Sequence, residues 1–296
     1  KGPTGPATVT EWSTATVVEN RAESADGIVR TLVLSVDEDN VPFLDGRKRK
    51  HVQDGPRWCD NYTTPGQKVH LKIGDATEAG QERILPLSSS PYASHSASAD
   101  LSATIIEVLV EHGASDMDEQ LANLAPGSLV QVSNIRGPGF SSLINPDHSL
   151  QRSLEDGRGL LVIAQGTNGI GAVRACLEWT PVQAHATEHP VTLVYLSKNA
   201  GSSAYLKDWD SWRAAGIKVK PVHYSEDDSN GTEISNEDAL DKLAIALYNE
   251  GGLQGIIGCA PEDCTVLMAG LPGSVATALG KRIIADGVQR NWLWLV

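Results

Sequence analysis

Near residue 160 the rhythm of the sequence changes, and that change constrains the fold more than any single motif. Upstream, residues 14–19, 29–36, 68–73, 104–110 and 129–132 alternate or are rich in β-branched side chains. In Lys68-Val69-His70-Leu71-Lys72-Ile73 every second residue is apolar, which turns one strand face inward and the other to water. Gly- and Pro-rich breaks separate these segments, so an antiparallel barrel is the economical arrangement. Downstream, Leu160-Leu161-Val162-Ile163-Ala164 is a continuous apolar run, followed by a glycine-rich segment expected to turn and by helical spacing over residues 172–179. Buried-type strands at 191–196, 217–222 and 265–269 then alternate with helices expected over 236–249 and 274–284. Tyr205, Trp209 and Trp212, at i, i+4 and i+7, are expected on one helix face as core. Such alternation implies a parallel sheet.

A chain of 296 residues exceeds the length at which one hydrophobic core stops growing, so two domains are expected, over 1–152 and 153–296. The boundary is placed between Asn145 and Gly159, where Pro146-Asp147-His148 and Glu155-Asp156-Gly157-Arg158-Gly159 read as loop. With 41% hydrophobic and 21% charged residues the chain can afford both cores. A net charge of −13 would repel phosphate backbones and argues against nucleic-acid binding. The basic run Arg47-Lys48-Arg49-Lys50-His51 is an exception, suited to an acidic partner such as a small electron carrier, though such runs are more often solvated loops. Cys59, Cys176, Cys259 and Cys264 are too few and too irregularly spaced for a metal knuckle or a secreted-type disulfide framework. A reducing compartment and no metal site are expected. No apolar run approaches the ~20 residues of a membrane span. Because Lys1 is not a start methionine, a processed product is expected.

The segment Gly166-Thr167-Asn168-Gly169-Ile170-Gly171 lies between a buried strand and a helix, where glycines let the backbone approach a pyrophosphate and helix N–H groups face its charge. Its spacing is not the G-x-G-x-x-G of dinucleotide folds. Further short motifs occur in a fixed order along the chain. They are Pro65-Gly66-Gln67, Arg83-Ile84-Leu85-Pro86-Leu87-Ser88-Ser89-Ser90, Gly113-Ala114-Ser115, Gly137-Pro138-Gly139-Phe140, Tyr195-Leu196-Ser197-Lys198 and Ala269-Gly270-Leu271-Pro272-Gly273. From about residue 60 to residue 287 this order resembles the ferredoxin–NADP reductase superfamily, nearest to plant-type FAD/NAD(P)-binding oxidoreductases.

The resemblance implies an antiparallel FAD-binding β-barrel followed by a parallel-sheet NAD(P)-binding α/β domain. It implies FAD and NADP (or NAD) as cofactors, with electrons passing between NAD(P)H, FAD and an unknown acceptor. The cofactor-binding positions it implies are Arg83, Leu85, Leu87, Ser88, Ser89, Gly113, Ala114, Ser115, Gly166, Thr167, Gly169, Lys198 and Gly270. Arg83 and the 113–115 turn would meet the flavin diphosphate, and Lys198 would favour an adenosine 2′-phosphate. Leu85 and Pro86 stand where the family has a flavin-stacking tyrosine and a serine hydroxyl, and Ala269 stands where it has a cysteine. Those departures leave a second expectation, a redox-inactive relative serving as an accessory or docking subunit of a larger protein assembly, for instance a photosynthetic one. A chloroplast location follows only from the resemblance. One competing motif, His185-Ala186-Thr187-Glu188-His189, spells H-x-x-E-H, but Pro181 and Pro190 flank it and a polar loop is expected.

Overall fold

The computed structural model describes residues 12–37, 58–74, 82–97, 103–141, 147–225, 234–249 and 251–296. The basic run at 47–51 lies outside them.

The first domain is built on β1 (Trp12–Ala22), β2 (Val29–Asp37), β3 (Lys68–Ile73), β4 (Glu82–Pro86), β5 (Ala103–Glu111) and β6 (Leu129–Ser133). These form one antiparallel sheet in the order β4-β3-β6-β1-β2-β5. Its edges meet: Leu87 bridges Val108, and the Ser88 N–H donates to the Glu107 carbonyl at 2.8 Å, closing the sheet into a barrel. Alternation fills it, because Val69, Leu71, Leu85, Val130, Val132 and Ile106 all point into one core. Two short helices follow strands, α1 (Pro91–Ala97) after β4 and α2 (Asp116–Ala122) after β5. Ser115 caps α2 by accepting the Asp118 N–H at 3.1 Å.

Glycine is required where the barrel's opening and closing segments cross. A Cβ on Gly139, whose φ is +63°, would stand 2.4 Å from the Pro65 carbonyl oxygen. Gln67 spans the same crossing, accepting the Thr63 N–H at 2.8 Å and donating to the Gly137 carbonyl at 3.1 Å. The Pro65-Gly66-Gln67 and Gly137-Pro138-Gly139-Phe140 motifs are thus one structural knot.

The second domain comprises α3 (Leu150–Glu155), β7 (Gly159–Gln165), α4 (Gly166–Leu177), α5 (Thr180–Ala186), β8 (Val191–Ser197), α6 (Trp209–Ala214), β9 (Ile217–His223), α7 (Asn236–Tyr248), α8 (Gly252–Ile257), β10 (Cys264–Ala269), α9 (Gly273–Ala285) and β11 (Leu293–Leu295). The sheet is parallel in the order β11-β10-β7-β8-β9. On β7 the residues Leu160, Val162 and Ala164 face one helical layer, and Leu161 and Ile163 face the other. Both faces are covered, which is why the strand reads as an unbroken apolar run. Residue 152, the end of the first expected domain, lies inside α3; Leu150 belongs to the second domain's core and the Ser153 and Thr265 hydroxyls lie 2.6 Å apart.

Three local expectations are corrected. The expected turn at 166–171 is the first part of α4, which starts directly after β7. A Cβ on Gly169 would stand 2.5 Å from the Ala269 carbonyl oxygen, and one on Gly171 would meet Leu109 Cβ at 3.4 Å. The close approach of α4 to β10 and to the barrel outweighs glycine's helix cost of ~1 kcal/mol. Tyr205 precedes α6 in a left-handed conformation (φ 59°) instead of sharing its face with Trp209 and Trp212, although all three are buried. His185 sits in α5, because Pro181 in the first turn starts a helix instead of breaking it. The His185 and His189 rings stack at 4.5 Å, and His185 Nε2 lies 2.8 Å from the Arg158 carbonyl oxygen, so the pair is a packing contact.

Candidate functional site

The domains share packing: Val29, Leu109 and Phe140 of the barrel belong to the same core as α4 and β7. Beside this junction, at the C-terminal edge of the parallel sheet, lies a cavity of about 210 Å³. Arg83, Glu111, Ala114 and Asp118 form its barrel wall, and Gln165, Gly166, Thr167, Asn168 and Gly270 form the other. Open α/β sheets place ligands at this edge because loops and helix N-termini converge there.

Two helices begin at the edge without side-chain caps, α4 after Gln165 and α9 after Pro272. Their first N–H groups have no intrahelical acceptor and carry the positive end of the helix dipole. Gly270 (φ +72°) lets the turns touch, since a Cβ there would lie 2.3 Å from the Gln165 carbonyl oxygen and 2.5 Å from the Gly169 nitrogen. Ala269 is fully buried beneath this contact.

Arg83 is the cation of the cavity wall. Its Nε donates to Asp118 Oδ1 at 2.8 Å, and the Ser115 hydroxyl donates to Asp118 Oδ2 at 2.7 Å, so Asp118 is held on two sides. Asp118 takes only Nε, which leaves the terminal guanidinium nitrogens able to grip a second anion as a fork. Across the cavity the Thr167 hydroxyl donates to the Glu111 carboxylate. The Gln165 Oε1 is buried with no hydrogen-bond partner, an acceptor waiting for a donor.

Of the thirteen positions taken from the resemblance, Arg83, Ala114, Gly166, Thr167 and Gly270 meet on this cavity. Gly113 and Ser115 support it from the α2 turn, with the Gly113 N–H donating to Glu119 Oε2 at 3.0 Å, and Gly169 supports it through its contact with Gly270. Leu85 and Leu87 are fully buried barrel core. Ser89 Oγ accepts the Glu107 N–H at 3.1 Å; the Ser88 N–H donates to the Glu107 carbonyl, but the Ser88 hydroxyl is buried without a hydrogen-bond partner among the described residues. Trp292 and Trp294, near the C-terminus, are packed in the core of the second domain with ring centroids 5.8 Å apart.

A larger cavity, about 510 Å³, lies beyond β8 and β9 and is lined by Asn199, Ala200, Gly201, His223, Tyr224, Ser225 and Lys242. Lys198 borders it through its carbonyl, which accepts the Ser225 N–H at 3.0 Å. The cation in the cavity wall is Lys242, from α7. Burial lowers the His223 pKa below its ordinary value, so this ring is neutral near pH 7. Sequence reasoning missed Asp118, Gln165, His223 and Lys242; the S-x-x-D spacing from Ser115 and the adjacency of Gln165 to Gly166 could have found the first two, whereas nothing in the spacing ties His223 or Lys242 to the motifs.

The cavity brings a forked guanidinium from the barrel together with the uncapped start of α4, donors that fit the phosphates of a dinucleotide, while the unpaired Gln165 carboxamide oxygen is an acceptor for a donor group of the ligand. Among the described residues the cavity lining holds no aromatic side chain for a flavin ring.

No protein-family model and no curated protein matches the chain. Among solved structures it is similar to the Amycolatopsis cytochrome P450 reductase, at 15% identity and a TM-score of 0.62, over 97% of this chain and 69% of that one. It is similar to the FAD/NAD-binding domain of nitric oxide dioxygenase from Vibrio cholerae, at 15% identity and a TM-score of 0.59, over 96% and 97% of the two chains. A ferredoxin–NADP+ reductase from Neisseria gonorrhoeae, solved with bound FAD and NADP, matches at 14% identity and a TM-score of 0.60, over 96% and 98%. The chain has the two-domain fold of the ferredoxin reductases.

Proposed function

We propose that this chain is an FAD-containing NAD(P)H oxidoreductase of the ferredoxin reductase type. The observation that carries the reading is the convergence of Arg83 and Ala114 from the barrel with Gly166, Thr167 and Gly270 from the sheet on one cavity. Arg83 would hold a flavin diphosphate through its terminal nitrogens, with Asp118 fixing its orientation. The α4 start and the Gly270 turn would receive nicotinamide nucleotide phosphate, and Gln165 Oε1 would accept from a ring carboxamide or imide N–H. Lys242, with Lys198 beside it, would favour the 2′-phosphate of NADP. The bound flavin supplies hydride acceptance and onward electron delivery; the protein binds, orients and excludes water. The acceptor on this reading is a small acidic electron carrier, and the compartment a chloroplast.

A second reading, a redox-inactive docking subunit, is favoured by one specific feature. Leu85 is sealed in the barrel core and Pro86 packs toward α4, 3.8 Å from where a Gly171 Cβ would lie. Neither Leu85 nor Pro86 carries a stacking ring or a hydroxyl.

One titration separates the two. FAD added to the purified protein is expected to bind with quenched fluorescence, and Arg83→Ala to weaken it by about 1.5–3 kcal/mol. A protein that takes up no FAD refutes the first reading and leaves the second. NADP is expected to bind more tightly than NAD at low salt, with the margin shrinking as salt rises.

A further inference from the structure

Cys59 is fully buried in the 3-10 turn Trp58–Asn61, and its neighbour Asp60 is exposed. Across from them stands His95 of α1. The Cys59 Sγ, an Asp60 carboxylate oxygen and a His95 ring nitrogen all lie within 4.8 Å of one another. In a tetrahedral zinc site with bonds of ~2.0–2.3 Å, ligand atoms stand about 3.3–3.7 Å apart, a small side-chain adjustment away.

The second observation is the state of the histidine. His95 Nδ1 lies 2.7 Å from the Pro91 carbonyl oxygen, an obligate acceptor, so Nδ1 carries the proton and Nε2 keeps its lone pair. This backbone-anchored imidazole is the outer-shell arrangement that fixes the tautomer and orientation of metal-binding histidines. The frame around it is stiff. The Tyr62 hydroxyl donates to the Ser89 carbonyl at 2.5 Å, the Tyr62 N–H to the Cys59 carbonyl at 2.8 Å, and the Ser89 and Ser94 hydroxyls lie 3.0 Å apart.

We propose that Cys59, Asp60 and His95 form a binding site for a borderline-soft divalent cation of the Zn²⁺ class. One thiolate, one carboxylate and one neutral imidazole balance a divalent charge, which suits a site buried on its Cys59 side. Hard cations are disfavoured, since Ca²⁺ and Mg²⁺ demand six or more oxygen ligands and the set offers one carboxylate. Binding replaces the Cys59 S–H bond with a sulfur–metal bond and releases that proton to solvent, with no change of oxidation state. Three protein ligands leave a fourth position for water on the exposed Asp60 side. None of the three residues lines the two cavities described above. The metal pins the turn at Trp58–Asn61 to α1, directly after the Ser88-Ser89-Ser90 segment. The sequence hides such a site because its ligands come from segments far apart in the chain, with no knuckle spacing.

The test uses Co²⁺ as a spectroscopic probe on the full chain after chelator treatment and dialysis. Co²⁺ is expected to produce a near-ultraviolet thiolate-to-metal charge-transfer band that saturates at one equivalent, and one equivalent of Zn²⁺ to abolish it. Cys59→Ser should eliminate the band, whereas Cys259→Ser should keep it. His95→Gln and Asp60→Asn, at side chains that are not fully buried, should each weaken Zn²⁺ at least tenfold with unchanged circular dichroism. A wild type without the band, a band surviving in Cys59→Ser, or unaltered Zn²⁺ affinity in His95→Gln would each overturn the site.

Discussion

Arg174 of α4 donates from Nη1 to the Glu107 carboxylate of β5, joining the two domains through a pair whose side chains are only 12% and 19% exposed. The same guanidinium donates to Glu178 at 3.0 Å, lies 3.5 Å from Asp208 and stands 4.7 Å over the Tyr205 ring. Arg21 reaches Glu107 from the barrel side at 3.1 Å. Nearby charge holds the Glu107 carboxyl below its ordinary range, against the opposing effect of burial. Arg174→Met leaves that carboxylate facing Glu178 and Asp208 with half its compensation gone. The expected cost is about 3–5 kcal/mol in denaturant unfolding, with part recovered in Arg174→Met/Glu107→Gln. A loss under about 1 kcal/mol would place the pair among solvent-screened contacts.

The charge count of this network predicts a pH dependence. Three cations, Arg21, Arg174 and Lys207, face five carboxylates, Glu19, Glu23, Glu107, Glu178 and Asp208. The surplus negative charge favours a proton, and burial raises Glu178 from 4.5 to about 7. An acid whose folded pKa is raised binds its proton better folded than unfolded, so stability falls as pH climbs from about 4.5 through about 7. Glu107 has the opposite sign: its contribution is present above its unfolded value and is lost as pH falls through its depressed folded value. Melting temperature is therefore expected to decline between about pH 5 and pH 7.5, and Glu178→Gln to flatten that decline. Parallel curves for wild type and Glu178→Gln would remove Glu178 as the proton acceptor.

The strands were legible because burial imposes a period on them: Val69 and Leu71 alternate with Lys68, His70 and Lys72, and β7 is apolar throughout because helices cover both its faces. The glycine segment at 166–171 was misread as a turn because propensity is local, whereas the demand for bare backbone at Gly169 comes from Ala269 on another strand. Arg83, Gly166 and Gly270 could be found from motif order. Lys242 could not, because it reaches its cavity through tertiary packing alone, whereas Asp118 and Gln165 were within reach of the Ser115 cap spacing and of Gly166. Leu85 shows the converse: its motif position suggests a ligand, yet its side chain is core.

Two glycines at one edge should respond in opposite ways. Gly270→Ala forces a Cβ to 2.3 Å from the Gln165 carbonyl oxygen at a φ of +72°, so both sterics and backbone strain oppose it. A loss above about 2 kcal/mol is expected, with weakened nucleotide binding as the α4 and β10 turns are pushed apart. Gly273→Ala meets nothing within 4 Å and starts a helix, so it should be neutral or stabilising by a few tenths of a kcal/mol. Thermal unfolding of the pair checks the contrast, and equal destabilisation would contradict the contact geometry.

The last prediction concerns thiol reactivity at the far end of the parallel sheet. Cys259 is half-buried, and its thiol hydrogen-bonds with Cys264, which together with the other contacts lowers it from 9.0 to about 7. Cys264 is pushed up by the same pairing and by burial, and burial pushes Cys176 up to about 12. Cys59 is fully buried. The thiolate is the nucleophile, so reactivity needs both a lowered pKa and access, and only Cys259 among the four combines them. Iodoacetamide at neutral pH is expected to add one carbamidomethyl group per chain, mapped by peptide mass to Cys259. The rate should rise with pH to a midpoint near 7 and level off as the thiolate population saturates. Cys264→Ala removes the hydrogen bond and should shift that midpoint upward, toward 9.0. A midpoint already at the ordinary thiol value in wild type, or first labelling at Cys176, would break the link between the thiol pair and reactivity.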